Sequence, residues 1–187
     1  EQMELQYYIK PEEAEGVKWF EHWKEIRYDW YIKLGMDKNN MRFRDHESHE
    51  RAHYARAATD IEYNAPFGWS EFEGIHHRGN WDLSQHSKFS GKDLSYYDDT
   101  FDERFLPWVI ETSAGADRTA LFFLLNSFSE EEKRVVLKLH PRLAPYKAAV
   151  FPLVANKEEL VKYARDVYVD LKRNELRTAF DARGNIG

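Results

Sequence analysis

Residues 41–99 form a run of short, strand-like segments separated by turn residues, and this pattern constrains the fold more than any other feature of the chain. Segments 59–63, 71–76 and 94–98 read as strands because they hold apolar, branched or aromatic residues between turns. The alternation of strands and helices that builds a parallel sheet is missing here. We therefore predict an antiparallel sheet and an α+β fold.

A strand and a long helix precede this region. Residues 3–9 read as a strand, and Pro11 then opens a helix that ends near Gly35. Its apolar side chains recur every three or four positions, at Trp19, Trp23, Ile26, Trp30 and Leu34. This spacing predicts one helix face packed on the core.

Two further helices are predicted beside the strands. Residues 81–89 form the first, with Asn80 placed to cap it. Residues 104–111 predict a strand that passes through a turn at Gly115 into a very apolar helix over residues 119–128. These helices supply apolar surface that can cover the sheet.

The pattern changes at residues 138–145, a basic linker that contains Pro141 and Pro145. Beyond it, residues 147–154 predict a strand, and a helix follows from a capping-box-like start at Asn156. A second strand is then expected to begin at Thr178. The order is β-α-β, which is typical of an α/β domain.

We accordingly divide the chain into two domains, residues 1–140 and residues 141–187. A β-α-β unit of about 40 residues cannot bury both faces of a parallel sheet. The second domain is therefore expected to be truncated.

Composition excludes several classes of function. The 187 residues include 27 Lys and Arg against 33 Asp and Glu, a formal net charge of −6, which argues against a general nucleic-acid coat. The absence of cysteine removes disulfides, thiolate nucleophiles and Cys-ligated zinc, and suits a cytoplasmic protein. No window approaches the roughly 18 consecutive apolar residues of a membrane helix, so no membrane association is expected.

Three histidines are the first candidates for chemistry. His46, His49 and His53 would share one side of a helix and could chelate zinc. Their spacing supplies no acidic residue to orient the rings, so we favour an ordinary polar surface segment.

Carboxylates placed within predicted strands are the second candidates: Glu4, Glu71, Glu73 and Glu111. Strand alternation predicts that Glu71 and Glu73 share one face. Clustered carboxylates on a sheet are costly unless they hold a cation, an ammonium group or Mg²⁺. An exposed face with salt bridges is the alternative of similar weight.

The segment ETSAGADR, residues 111–118, is the third candidate. Here a strand ends in small residues, which let a ligand approach the backbone, and a helix begins with Asp117 and Arg118. An arginine at that point can lie across a phosphate or stack on a purine. A plain strand-to-helix connection would have the same pattern.

Four segments in fixed order carry a resemblance to one family: EQMELQYY, RFRDHESHERAHYARAATDIEYNAPFGWSEFEGI, HRGNWDLSQHSKFSGKDLSYYD and WVIETSAGADR. The chain resembles glycyl-tRNA synthetases of the class II, dimeric type over essentially all its residues. The resemblance implies a class II catalytic core in residues 1–140, with a six- or seven-stranded antiparallel sheet and flanking helices. It implies the beginning of an α/β anticodon-binding domain in residues 141–187.

The family is a cytoplasmic, homodimeric ligase of protein biosynthesis. The resemblance therefore implies ATP-dependent activation of glycine with Mg²⁺, followed by transfer of the glycyl group to the terminal adenosine of tRNA(Gly). Glycine has no side chain to grip, so such a site must bind the ammonium group with carboxylates and exclude a β-carbon.

Matched position by position, the resemblance assigns two groups of contacts. Glycine contacts are implied for Gln2, Met3, Glu4, Glu111, Thr112, Ser113 and Gly115. ATP contacts are implied for Glu71, Phe72, Gly115, Ala116, Asp117 and Arg118. Glu71 and Arg118 are the implied catalytic residues, with Glu71 also expected to contact Mg²⁺. Thr112 stands where many family members have proline.

The dimer-forming motif and part of the ATP-binding site are expected upstream of Glu1, so we expect these 187 residues alone not to aminoacylate tRNA. The alternative function is a non-catalytic class II synthetase-like subunit that binds nucleic acid or protein. Such relatives are expected to lose the substrate carboxylates and the motif arginine, which are present here. Basic residues near the linker could meet tRNA phosphates, although a solvated linker is slightly favoured: Lys133, Arg134, Lys138, Arg142 and Lys147.

Overall fold

A computed structural model describes residues 1–47, 49–50 and 55–183 of the chain, which divides into two compact units, Glu1–Lys138 and Leu139–Gly187. The first unit contains the following elements in chain order: β1 (Gln2–Ile9), α1 (Glu13–Lys33), a 3-10 turn (Lys38–Asn40), β2 (Met41–Asp45), β3 (Ala57–Ala65), β4 (Gly68–Gly79), α2 (Trp81–Ser90), β5 (Tyr96–Asp98), β6 (Glu103–Phe105), β7 (Trp108–Gly115), α3 (Ala116–Ser127), β8 (Phe128–Glu131) and β9 (Arg134–Leu137).

Five strands form the main sheet in the order β1-β7-β4-β3-β2, and each neighbouring pair is antiparallel. The predictions of an antiparallel sheet and an α+β fold are confirmed. Within the described residues the sheet has five strands, fewer than the six or seven that the family resemblance implies. Strands β1 and β2 lie at its two edges.

Helices α1 and α3 cover one face of this sheet with an aromatic layer. The ring of Phe72 lies 4.7 Å from the ring of Tyr31 on α1 and 5.3 Å from the ring of Phe122 on α3. Ile75 and Ile110 on the same face are fully buried. Because side chains alternate along strands, Gln2, Glu4 and Gln6 of β1 and their polar neighbours Ser113 and Glu111 of β7 lie on the opposite face.

The predicted apolar face of α1 is partly wrong. Ile26 and Trp30 are 42% and 40% exposed, whereas Gly16, Phe20 and Tyr31 are the buried positions. The helix also directs a polar side chain, described below, toward the sheet, which the apolar stripe does not predict.

Gly16 permits the close approach of α1 to the sheet. A β-carbon at this position would lie 2.3 Å from Nε2 of His77 on β4 and 3.3 Å from the ring of Trp108 on β7. Only glycine therefore fits at this contact without displacing a neighbour.

Two local predictions in the first unit are wrong. Residues 104–111 are not one strand: β6 and β7 are separated at Pro107, which has no N–H to donate to a ladder. Asn80 precedes α2, but its side chain makes no capping hydrogen bond. The hairpin of β8 and β9 had no counterpart in the sequence predictions.

The second unit contains β10 (Ala148–Val150), α4 (Glu158–Arg173) and β11 (Thr178–Phe180). The two strands pair in parallel, which confirms the predicted β-α-β order. The first strand is much shorter than residues 147–154, because Pro152 cannot donate to a ladder. Helix α4 begins after Lys157 without a side-chain cap, so the capping-box prediction is wrong. Among the described residues, no helix is long and apolar enough to cross a membrane.

Candidate functional site

The sheet face away from α1 and α3 gathers polar side chains from neighbouring strands. Antiparallel pairing places three residues of β1 opposite three residues of β7, as the pairs Gln2–Gly115, Glu4–Ser113 and Gln6–Glu111. Strand β4 lies on the other side of β7, where Gly74 pairs with Ser113 and His76 pairs with Glu111. Three distant segments of sequence thus meet on one surface, which we call the open face.

A β-bulge in β4 decides which acidic residues reach the open face. Glu71 pairs with Glu62 and Glu73 pairs with Ile61, so Phe72 is an extra residue between them. Phe72 and Glu73 both point toward the helices, whereas Glu71 points to the open face. The prediction that Glu71 and Glu73 share a face is therefore wrong, because the bulge breaks the alternation.

A cavity of about 670 Å³ opens at one end of this face. Residues with predicted roles that line it are Gln2, Glu71, Phe72, Ser113, Gly115, Asp117 and Arg118. Gly74 and His76 also line it, and a β-carbon on Gly74 would lie 2.6 Å from Cε1 of His76. The imidazole ring can occupy this position because residue 74 is glycine.

The beginning of α3 forms one wall of the cavity. The helix starts at Ala116 immediately after β7, so Gly115, Asp117 and Arg118 at its N-terminus line the cavity. Arg118 donates a hydrogen bond from Nη1 to the backbone carbonyl of Glu71 at 2.8 Å. A helix N-terminus beside an arginine is a favourable place for a phosphate.

The Glu71 carboxylate makes no hydrogen bond or ion pair with any residue that the structure describes. The side chain faces the cavity, and loss of water there raises its pKa above the usual range, with the nearby charge of Asp60 acting in the same direction and Arg118 opposing it. The described residues contain no group of three side chains that could hold a metal ion. One free carboxylate still fits Mg²⁺ that arrives with a nucleotide, since protein Mg²⁺ sites often use one or two carboxylates plus substrate phosphates.

A smaller pocket of about 260 Å³ lies further along β1 and β7 and includes Glu4 and Glu111. The buried Glu111 accepts hydrogen bonds from Nη1 of Arg78 at 2.7 Å and from Nε2 of Gln6 at 3.1 Å. Arg78 also donates from Nε to Asp82 on α2 at 2.9 Å. Burial opposes the charge of Arg78, but its bonds to Glu111 and Asp82 raise its pKa overall.

Glu4 differs from Glu111, because its carboxylate has no partner within the described parts of the chain. The pocket therefore offers one free carboxylate beside a carboxylate that is already paired with an arginine. Such a pocket suits a small ligand that carries both a positive and a negative group.

Arg78 is not among the site residues predicted from the sequence. The residue lies in the segment HRGN, which carried part of the family resemblance, but nothing in its spacing pointed to Glu111, 33 positions away.

Three residues with predicted roles do not line either cavity. Met3 and Thr112 alternate along their strands with the residues of the open face, so both lie on the helix-covered side of the sheet. Ala116 donates its backbone N–H to the carbonyl of Glu1 at 2.9 Å. Gln2 donates from its amide to the hydroxyl of Ser113, which joins β1 to β7 at the larger cavity.

The two histidine candidates within the described residues have separate acidic partners. His46 contacts Asp60 through Nε2 at 2.7 Å, and His49 lies 3.4 Å from Glu47. His53 lies outside the described residues.

Relatives of known name match the chain from end to end. A protein named glycine--tRNA ligase from Caldanaerobacter subterraneus subsp. tengcongensis is 45% identical over 191 residues, covering 100% of this chain and 40% of the relative. Proteins of the same name from Borrelia garinii subsp. bavariensis and Geobacillus kaustophilus are 48% and 44% identical, covering 100% of this chain and 43% and 40% of the relatives. The whole chain is homologous to part of the glycine–tRNA ligases.

The chain spans about two fifths of the length of the curated glycine–tRNA ligases that it matches. No protein-family model matches it. The resemblance to glycyl-tRNA synthetases that four sequence segments indicated is confirmed, and the relatives agree on one kind of enzyme, a ligase that acts on glycine and tRNA.

Proposed function

We propose that this chain forms the part of a glycine–tRNA ligase that binds glycine and ATP, activates glycine to glycyl-adenylate and presents it to the 3′ end of tRNA(Gly). The observation that carries the proposal is the pair of cavities on the open face. One combines Arg118, Glu71 and a helix N-terminus, and the other combines Glu4, Glu111 and Arg78. The two cavities lie side by side along β1 and β7, so the two reactants bound in them would be adjacent, as their reaction requires.

In this proposal the larger cavity binds ATP. The phosphates lie against Arg118 and the N-terminus of α3, where fixed positive charge favours them. Glu71 would hold Mg²⁺, and the ion would supply charge neutralisation for the phosphates of ATP. Arg118 adds a planar guanidinium that can contact either a phosphate or the adenine ring.

The smaller pocket binds glycine. The free carboxylate of Glu4 and the paired carboxylate of Glu111 attract the ammonium group, while the hydrogen bond from Arg78 holds Glu111 in a fixed orientation. Gln2 and Ser113 line the larger cavity, and Ser113 pairs with Glu4 of the smaller pocket, so the carboxylate of glycine would meet the nucleotide beside them.

No protein nucleophile is needed for activation. An oxygen of the glycine carboxylate attacks the α-phosphorus of ATP. The bond between the α-phosphorus and the oxygen that bridges it to the β-phosphate breaks, and pyrophosphate leaves with the electron pair. A hydroxyl of the terminal adenosine of tRNA then attacks the glycyl carbonyl, its proton passes to the departing phosphate, and AMP leaves. The chain's own residues contribute by aligning the two reactants and by placing Arg118 where negative charge develops.

The wider assembly follows from the same proposal. Residues 1–140 correspond to the class II catalytic core and residues 141–187 to the start of the anticodon-binding domain, in a cytoplasmic homodimer. The free carboxylates of Glu4 and Glu71 favour the catalytic function over a non-catalytic nucleic-acid- or protein-binding subunit, which has no use for them.

Calorimetry with a non-hydrolysable glycyl-adenylate analogue tests this function, with the alanyl analogue as the comparison ligand. We expect the chain to bind the glycyl analogue at least about tenfold more tightly than the alanyl one, since a close-fitting site rejects an added methyl group. Glu4→Gln should weaken binding of both, because it removes the free charge that meets the ammonium group.

The matched control is Glu25→Gln, an exposed carboxylate on α1 away from the open face. Equal affinity for the glycyl and alanyl analogues, or an unchanged affinity in Glu4→Gln, would contradict the assignment of the smaller pocket.

A further inference from the structure

Three polar groups are joined beneath the bulge of β4, inside the aromatic layer on the helix side. Glu73 is 1% exposed, and its carboxylate accepts hydrogen bonds from Nε and Nη2 of Arg27 at 2.6 Å and 3.1 Å. The hydroxyl of Tyr31 donates to the same carboxylate. Arg27 and Tyr31 are one turn apart on α1, so the helix presents both to one acid. We call these three residues the bulge anchor.

The bulge anchor is not explained by stability alone. A buried ion pair loses the hydration of both charges, and apolar residues of similar volume are often equally stable or more stable at such positions. Burial and the charge of Glu73 both raise the pKa of Tyr31, so its hydroxyl stays protonated and remains a donor. The three groups therefore form a fully connected arrangement of fixed direction, which specifies one register of β4.

The anchor lies directly under the residues that shape the larger cavity. Glu73 follows the extra residue Phe72, whose ring is held between Tyr31 and Phe122. On the other face, the carbonyl of Glu71 accepts the hydrogen bond from Arg118. The bulge is thus held from both sides of the sheet.

We propose that Glu73, Arg27 and Tyr31 are positioning residues for the nucleotide cavity. By fixing the bulge they direct the side chain of Glu71 to the open face and place its carbonyl where Arg118 is held. A one-residue shift of β4 would exchange the faces of Glu71 and its neighbours, because side chains alternate with a period of two. The inference rests on the proposed function for the identity of the ligand, but not for the mechanical role of the anchor.

Tyr31→Phe is the mildest test, since it removes one hydroxyl and keeps the ring against Phe72. The matched control is Tyr28→Phe on the same helix, whose hydroxyl lies 3.4 Å from the carbonyls of both Lys38 and Met41. Glu73→Gln is the second variant. Its exchange rates and its affinity for the analogue should lie between those of the unsubstituted chain and those of Tyr31→Phe, because an amide oxygen can still accept a hydrogen bond from Arg27.

Two measurements separate positioning from general stability. Hydrogen exchange of the amides of residues 71–73 should accelerate about tenfold in Tyr31→Phe relative to the amides of residues 109–111, and Tyr28→Phe should leave this ratio unchanged. The affinity for the glycyl-adenylate analogue should fall about tenfold, while the glycyl-to-alanyl preference stays the same, because the smaller pocket does not contact the anchor.

Unchanged exchange at residues 71–73 would overturn the proposal, and so would equal losses of affinity in Tyr31→Phe and Tyr28→Phe. If the unsubstituted chain binds neither analogue, the proposed function fails for this chain. The exchange ratio then decides the positioning role by itself.

Discussion

Lowering the pH should destabilise the first unit through His77, a histidine buried where α1 meets the sheet. Burial, and then the charge of Arg56, lower its pKa from 6.5 to about 4. The imidazole is 4% exposed and lies 5.1 Å from the ring of Trp108, so the folded protein holds it in the neutral form.

The sign and size of this loss of stability follow from the linkage between proton binding and folding. A histidine whose folded pKa is depressed takes up its proton more readily in the unfolded chain, so its contribution to stability is complete above pH 6.5 and is lost as the pH falls toward 4. With pKa values of 6.5 unfolded and about 4 folded, the loss between pH 7 and pH 5 is about 2 kcal/mol. His76, whose pKa is also lowered mainly by burial, acts in the same direction.

Urea unfolding followed by tryptophan fluorescence reports on the first structural unit, because all six tryptophans precede residue 139. The free energy of unfolding is compared at pH 7 and pH 5 for the unsubstituted chain and for His77→Gln, which cannot gain the proton. All other groups titrate in both proteins, so the difference isolates His77. Equal pH dependence in the two proteins would refute the reasoning.

Two further substitutions test packing, each by the shift of the urea midpoint at pH 7. Gly16→Ala should destabilise the first unit by about 1–2 kcal/mol, because overpacking against His77 outweighs the roughly 1 kcal/mol gain in helix propensity. The control is Val17→Ala at an exposed position of the same helix. A Gly16→Ala protein more stable than the unsubstituted chain would mean that the His77 ring moves freely. Phe122→Ala should cost about 3–5 kcal/mol, since this ring is 1% exposed and contacts Phe72 and Tyr63; a loss under 1 kcal/mol would contradict the assigned core.

Local periodicity predicted much of the fold. The strands within residues 59–63 and 71–76, the helix after Pro11 and the β-α-β order of the second unit are all properties of neighbouring residues in sequence, and the structure confirms them. The antiparallel sheet also followed, because the missing strand–helix alternation leaves few other ways to pair the strands.

The errors arise where a distant partner decides the local structure. The bulge at Phe72 exists only in the pairing of β3 with β4, so simple alternation placed Glu71 and Glu73 on one face. Arg27 on α1 pairs with the buried Glu73, a contact that no apolar periodicity contains. Pro107, in contrast, was visible in the sequence and should have divided the strand predicted over residues 104–111.

In the candidate site, too, contiguous residues could be predicted and partners on other strands could not. Residues in the segment ETSAG and the helix start after it could be chosen from the sequence, because they are contiguous and join a strand to a helix. The partnership of Arg78 with Glu111 required the register of β4 against β7. Chemistry that depends on one strand is visible in a sequence, whereas chemistry shared between strands needs the register.

The position of β1 at the edge of the sheet bears on how the chain behaves in concentrated solution. This strand of eight residues pairs with β7 on one side, and Met3 and Leu5 on its helix side are 45% and 38% exposed. A long edge strand with apolar side chains is a template for pairing with a second molecule. Self-association through β1 is therefore the hazard when this chain is produced alone, and a lysine introduced at Leu5 is the substitution that would oppose it while leaving the open face untouched.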